Sequence, residues 1–187
     1  MNKNSFKSSW TYKEIVRHKK FIYIIILFSV LSYFFGLKKI FFISLFIVGN
    51  SYILLIDRYI DLPIDIEFST LGSILTTIAF NLKLGIFVAI STKLASMLYV
   101  GKIRVDHIFM IIGYCLEAIM AKLFFPFIPN LIYLGIIINI IYNIYIFIIS
   151  KFVLGMRELD IVGYALSNIL FNIVIFSGFS KFIFGFM

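Results

Sequence analysis

The sequence predicts an all-α polytopic membrane protein, on three observations. Of the 187 residues, 62% are hydrophobic and 14% charged, with a mean hydropathy of +1.07; soluble domains carry roughly 45–50% apolar and about 25% charged residues. The apolar residues fall in runs of about 20, the length an α-helix needs to cross a ~30 Å hydrocarbon layer. Strand-type alternation is absent, which sets aside a transmembrane barrel.

The formal charge of +8 points to a lipid headgroup surface rather than to nucleic acid. Six of the 17 basic residues, Lys3, Lys7, Lys13, Arg17, Lys19 and Lys20, precede the first apolar run, the pattern of an anchor on anionic lipid. Cys115 is the single cysteine, so neither a disulfide framework nor a thiolate metal cluster is expected.

Taken in order, residues 1–20 form a basic, partly amphipathic N-terminus, cytoplasmic or interfacial. Thr11 and Glu14 have capping-box spacing, which starts a helix that places Trp10 and Tyr12 at headgroup depth. The first apolar segment, 21–37, is read as retained, because Gly36, Leu37, Lys38 and Lys39 follow it in place of a small-residue cleavage site. A second segment covers 40–56. The acidic stretch 57–67 follows, in which Pro63 suits a first helical position and Asp65 and Glu67 suit the first turn, where the helix dipole favours anions. The third segment is therefore 63–80. Asn81-Leu82-Lys83 breaks the chain before the fourth segment, 84–100. The fifth, 108–125, ends at Pro126 and Pro129, and Asn130 caps the sixth, 131–149. A charged loop with Asp160 as cap leads to the seventh, 161–184. Residues 21–187 thus read as one transmembrane domain with seven hydrophobic segments and no internal repeat.

Lys and Arg counts lean slightly to an inside N-terminus with all seven segments spanning. The inner side then gains Arg58, Lys102, Arg104, Lys151 and Arg157, eleven bases against Lys38, Lys39, Lys83 and Lys181 outside. With segment 21–37 interfacial or re-entrant, the later loops exchange sides and the count is ten to five.

Charges inside a bilayer cost about 2.5–3.5 kcal/mol on insertion scales, so they face a partner or a cavity. Lys93 lies midway along the fourth segment and Glu117 midway along the fifth, and a short loop makes these antiparallel neighbours. Two readings stand: an ion pair that fixes helix register, or a pair lining a ligand cavity or ion path. Lys122, nearer Pro126, extends to the interface. Asn139 and Asn143 share a face of the sixth segment, with Tyr142 beside them, and Asn168 and Asn172 share a face of the seventh. Those carboxamides bond between helices or contact a polar solute. Small residues at Gly85 and Ala89, Ser91 and Ala95, and Thr92 and Ser96 make the fourth segment the expected centre of the bundle.

The chemistry of an enzyme is thinly represented. Asp57-x-x-x-Asp61 with Asp65 is similar to the acidic motifs by which membrane-embedded prenyltransferases hold Mg²⁺ and diphosphate, but a second motif is missing. There is no Gly-rich phosphate loop and no Ser/His/Asp grouping. The expectation is a protein without catalytic residues, resident metal or cofactor.

Several stretches carry a family resemblance. Asp57-Arg58 ends a segment, Leu62-Pro63-Ile64 and Ile66 to Gly72 follow, and Ala79-Phe80-Asn81-Leu82-Lys83-Leu84-Gly85 opens a small-residue helix. With the ending Asn168-Ile169-Leu170-Phe171-Asn172, these resemble the substrate-binding S components of energy-coupling-factor transporters, a superfamily that includes rod-shape-determining membrane proteins. The resemblance covers about residues 40–185 and implies a six-helix S-component-like core with 21–37 as an N-terminal addition. Where that family places paired alanines on its first core helix, this chain has Ser44, Gly49 and Ser51. The resemblance further implies an extracellular loop over the ligand, with Asp57, Asp61, Asp65 and Glu67 as its cover, and an N-terminal segment that either fails to span or starts outside. A transmembrane coupling subunit and ATPases would be the partners.

The functional expectation is a cell-membrane, small-solute-binding, substrate-specific transporter subunit. Its candidate polar contacts are Lys93, Glu117, Asn139, Asn143, Asn168 and Asn172. The alternatives are a non-catalytic membrane scaffold or assembly protein of similar fold, and a metal-dependent membrane enzyme acting on a lipid or prenyl substrate.

Overall fold

Helix caps and proline breaks set the elements of the chain, whose structure is a computed structural model. It describes Tyr23, Leu27 and residues 37–59, 65–101 and 103–187, without the side chains of 55–59. The expected features of residues 1–20 and of segment 21–37 lie outside the described residues, apart from Tyr23, Leu27 and Leu37. Among the described residues there are six helices and no strand: α1 (Lys38–Tyr59), α2 (Ser69–Ala79), α3 (Leu82–Val100), α4 (Val105–Phe124), α5 (Leu131–Phe152) and α6 (Glu158–Phe186). Helices α3 to α6 are each long and apolar enough to cross a membrane. They turn Leu94 and Leu98, Ile112 and Leu116, Ile137 and Ile144, or Leu166 and Leu170 outward, at the spacing of a helix face that meets lipid rather than water. The protein is an integral, multi-pass membrane protein.

Several boundaries follow the sequence signals. Asn81 caps α3 by accepting from the Leu84 N–H at 2.9 Å, and Asn130 caps α5 by accepting from the Ile132 N–H at 3.0 Å. Gly101 closes α3 with φ +75°, a left-handed conformation in which a Cβ is strained. Other boundaries differ. The Lys38-Lys39 pair opens α1 instead of interrupting the chain before it. Helix α6 begins at Glu158, so Asp160 lies in its first turn and pairs with Arg157 at 2.8 Å instead of capping.

The largest difference concerns the third segment, expected as a helix over 63–80. Its helix starts at Ser69, and residues 65–67 are not helical. On a helix, positions 65 and 67 would lie about 200° apart, whereas an extended backbone sends alternate side chains to one face. Here both carboxylates turn into the bundle. The extended stretch finds hydrogen bonds from side chains: the Asp65 N–H donates to Ser167 Oγ at 2.8 Å, and the Phe68 N–H donates to Asn50 Oδ1 at 2.7 Å. Non-helical backbone at membrane depth needs such burial in protein.

With 11 residues, α2 is only about 16 Å long. It nevertheless packs against every other described helix, and Ser69 through Thr77 are buried without interruption. The centre of the bundle is therefore α2, and not α3 as the small-residue pattern suggested. Helix α3 packs against α1, α2 and α4, using Gly85 to approach α2, while Phe87, Ile90, Leu94 and Leu98 face outward. The apolar core gathers Phe42, Phe46, Leu71, Ile74, Leu75, Leu134, Ile138 and Phe176. The buried polar side chains collect beside residues 65–70, on the middle turns of α3, α4, α5 and α6.

Candidate solute-binding site

The interior of the bundle holds two joined polar networks, both rooted in the extended segment ahead of α2. In the first, Glu67 is the hub. Its Oε1 pairs with the Lys93 ammonium on α3, and both side chains are almost wholly buried. Its Oε2 accepts from Tyr114 Oη on α4 at 3.0 Å and from Ser69 Oγ at 3.1 Å. Asn50 on α1 extends the network, its Nδ2 donating to Ser69 Oγ at 3.1 Å and to the Thr92 carbonyl at 3.3 Å. The Tyr114 ring stacks on Tyr142 of α5, centroids 4.9 Å apart.

In the second network the hub is Asn168 on α6. Its Nδ2 donates to Asp65 Oδ2 at 3.0 Å, while its Oδ1 accepts from Asn139 Nδ2 at 2.7 Å and Asn143 Nδ2 at 2.9 Å. Asn172 Nδ2 donates to the Asn168 carbonyl at 3.0 Å. The four asparagines expected on two helix faces thus meet across the α5–α6 contact.

Lys93 and Glu117 do not pair, contrary to their expected meeting at equal depth. Lys93 is taken by Glu67, which the extended segment turns inward, and Glu117 Oε1 accepts instead from Thr70 Oγ1 on α2 at 3.1 Å. The reason is that α2 and its leading segment lie between the two. Asp65 and Glu67, expected as a loop cover over a ligand, are interior groups for the same reason. The side chain of Asp57 and all of Asp61 lie outside the described residues. Lys122 is exposed, as its place near Pro126 suggested.

Charge within this region is unbalanced. Asp65, Glu67 and Glu117 are buried with Lys93 as the one buried cation among the described residues. Unpaired among the described residues are Glu117 Oε2 and Asn172 Oδ1, which accept, and the hydroxyls of Thr76, Thr77 and Tyr142, which can also donate. A buried polar atom left unpaired costs about 1–3 kcal/mol.

A narrow cleft, partly open to the surroundings, leads to this interior. Asp65 lines it together with Asp106, Phe109, Ile149, Ile161 and Tyr164. Among the described residues no group of three or more His, Cys, Asp or Glu side chains is placed to hold a metal ion. Asn50, Tyr114 and Thr70 were not among the expected site residues. Asn50 is a single carboxamide inside an apolar run, a signal of the same kind as the asparagines of α5 and α6, whereas nothing in the sequence separates Tyr114 from the chain's other tyrosines. No protein-family model, curated protein or solved structure matches the chain.

Proposed function

We propose that this membrane protein binds a small polar solute between its helices and serves as the substrate-specific subunit of a transporter, in the manner of the S components that its sequence resembles. The observation that carries the reading is the discontinuous third segment. Half-helices joined to extended backbone are the usual way in which membrane transporters bring polar groups to a solute, because unwound chain is tolerated only in protein or beside a cavity. Here the extended residues 65–67 bring Asp65 to the lining of a cleft between the helices, the kind of place where small-molecule sites form. Movement of the solute would require a coupling subunit and ATPases as partners in the cell membrane.

A second reading, a scaffold or assembly protein of similar fold, is favoured by the Glu67 hub. That carboxylate is fully engaged by Lys93, Tyr114 and Ser69 and fastens α3 and α4 to the segment leading into α2, as a device for helix register does. Purification of the full chain in mild detergent, with mass spectrometry of accompanying proteins and small molecules, separates the two. ATP-hydrolysing subunits and a retained solute that disappears in Ile149→Trp, a variant that fills the cleft, support the transporter. Stable association with other membrane or cell-wall proteins, and no retained solute, refutes it.

A further inference from the structure

We infer that the solute of this cleft is an organic cation, an amine or quaternary ammonium with an apolar body, held at Asp65; the inference rests on the solute-binding reading above. The first observation is spare acceptor capacity. Asp65 is 8% exposed; its Oδ2 accepts from Asn168 at 3.0 Å and its carboxyl shares a hydrogen bond with Glu67, on a side chain that lines the cleft. A carboxyl group offers about four positions for partners, and these two leave others open.

The second observation is the arrangement of charge. Asp106, the other acid lining the cleft, is taken by Arg104 at 2.7 Å, and Lys93 is taken by Glu67. Asp65 is therefore the acid of the cleft without a cation. Deeper in the bundle, Glu117 Oε2 and Asn172 Oδ1 are fully buried and also lack donors. A cleft whose unpaired charged group is a carboxyl selects a ligand that brings positive charge, and an anion would meet Asp65 and Glu67 without a free base to receive it.

The walls give the rest of the ligand. Phe109, Met110, Ile149 and Ile161 are apolar, and Tyr164 adds a second aromatic ring to the lining. Aromatic faces attract ammonium groups, and most strongly where water is excluded. A strongly hydrated inorganic cation would find one carboxylate and few oxygens, too sparse a shell for Mg²⁺ or Ca²⁺. An ammonium on an apolar skeleton matches both the floor and the walls.

The test offers the purified full chain a pool of matched skeletons, phenylethyl, cyclohexylethyl and indolylethyl, each as amine, alcohol and carboxylate, and measures retention by native mass spectrometry after desalting. Amines are expected to be retained at least tenfold over the alcohols and carboxylates of the same skeleton, and to be lost in both Asp65→Asn and Ile149→Trp. Equal retention of the three classes, a preference for carboxylates, or retention of none overturns the inference. So does undiminished amine retention in an Asp65→Asn protein that unfolds at the wild-type temperature. Should Asp65→Asn fail to fold, Ile149→Trp decides, since amine selectivity that persists in a filled cleft also overturns it. Retention of alcohols or carboxylates that Ile149→Trp abolishes refutes the cation and leaves the solute-binding reading intact.

Discussion

Removing one member of the Lys93–Glu67 pair should cost far more than removing both. In Lys93→Met the side chain keeps its length and apolar stem, so packing changes little, but Glu67 is left buried with only Tyr114 at 3.0 Å and Ser69 at 3.1 Å as partners. Breaking a buried pair from one side costs about 3–5 kcal/mol, a large part of the roughly 5–15 kcal/mol that holds a domain folded. In the double variant Lys93→Met/Glu67→Gln the side-chain amide oxygen still accepts from Tyr114 or Ser69 and no charge is left alone, so most of the loss returns. The coupling energy of the double-mutant cycle should be at least about 2 kcal/mol, about 30-fold in the unfolding equilibrium. Equilibrium unfolding in mixed micelles of increasing SDS fraction measures it. If Lys93→Met unfolds within about 0.5 kcal/mol of wild type, or if the double variant is no more stable than Lys93→Met, the pair does not hold the bundle as described.

Three further outcomes follow from the same geometry. Gly85→Ala places a Cβ against Thr77 Oγ1, 2.9 Å from Thr77 Cβ and 3.0 Å from the Ser73 carbonyl, so α2 and α3 must separate; the same mixed-micelle titration should show a loss of about 1–3 kcal/mol. Asn168→Leu removes the amide that links Asp65, Asn139 and Asn143 and should cost more than Asn143→Ala, since it strands Asp65 Oδ2 and Asn139 Nδ2, whereas Asn143→Ala strands only Asn139 Oδ1. Amine retention at the cleft should fall as pH is lowered. Asp65 stands among Glu67 ahead of α2, Lys93 on α3, Asp106, Tyr114 and Glu117 on α4, Tyr142 on α5 and Tyr164 on α6. An ammonium pairs with the ionised carboxyl, so acid that protonates Asp65 should weaken retention. Retention measured from pH 5 to 9 that stays flat in wild type would show that Asp65 does not meet the ligand.

The membrane class and the helices beyond residue 80 were legible, because a run of about 20 apolar residues bounded by Asn81, Gly101, Pro126 and Asn130 leaves little choice of structure. So was the meeting of the asparagines on α5 and α6, which follows from four-residue spacing on adjacent helices. What could not be read was the path of residues 65–68. Pro63 and two acids form a respectable helix start, and local propensity favours it. The extended path wins only because Ser167 and Asn50 accept from its N–H groups while Asn168 and Lys93 donate to its carboxylates, from three distant stretches of chain. That missed path also explains the wrong partner for Lys93 and the wrong centre of the bundle.

A continuous helix over 63–80 would have satisfied its own backbone without help from other helices, so the broken form requires compensation. It spends the amide of Asn50 and the hydroxyl of Ser167 on main-chain groups and buries two acids that a membrane interior disfavours. If register were the whole purpose, one acid opposite Lys93 would suffice, and Glu67 already fills that place. Asp65 is the surplus: buried, lining a cleft, and held by Asn168 and Glu67 where it can take further partners. Its bond to Asn168 ties it to α6, a link that the scaffold reading also uses, but the binding reading alone accounts for its place on the cleft.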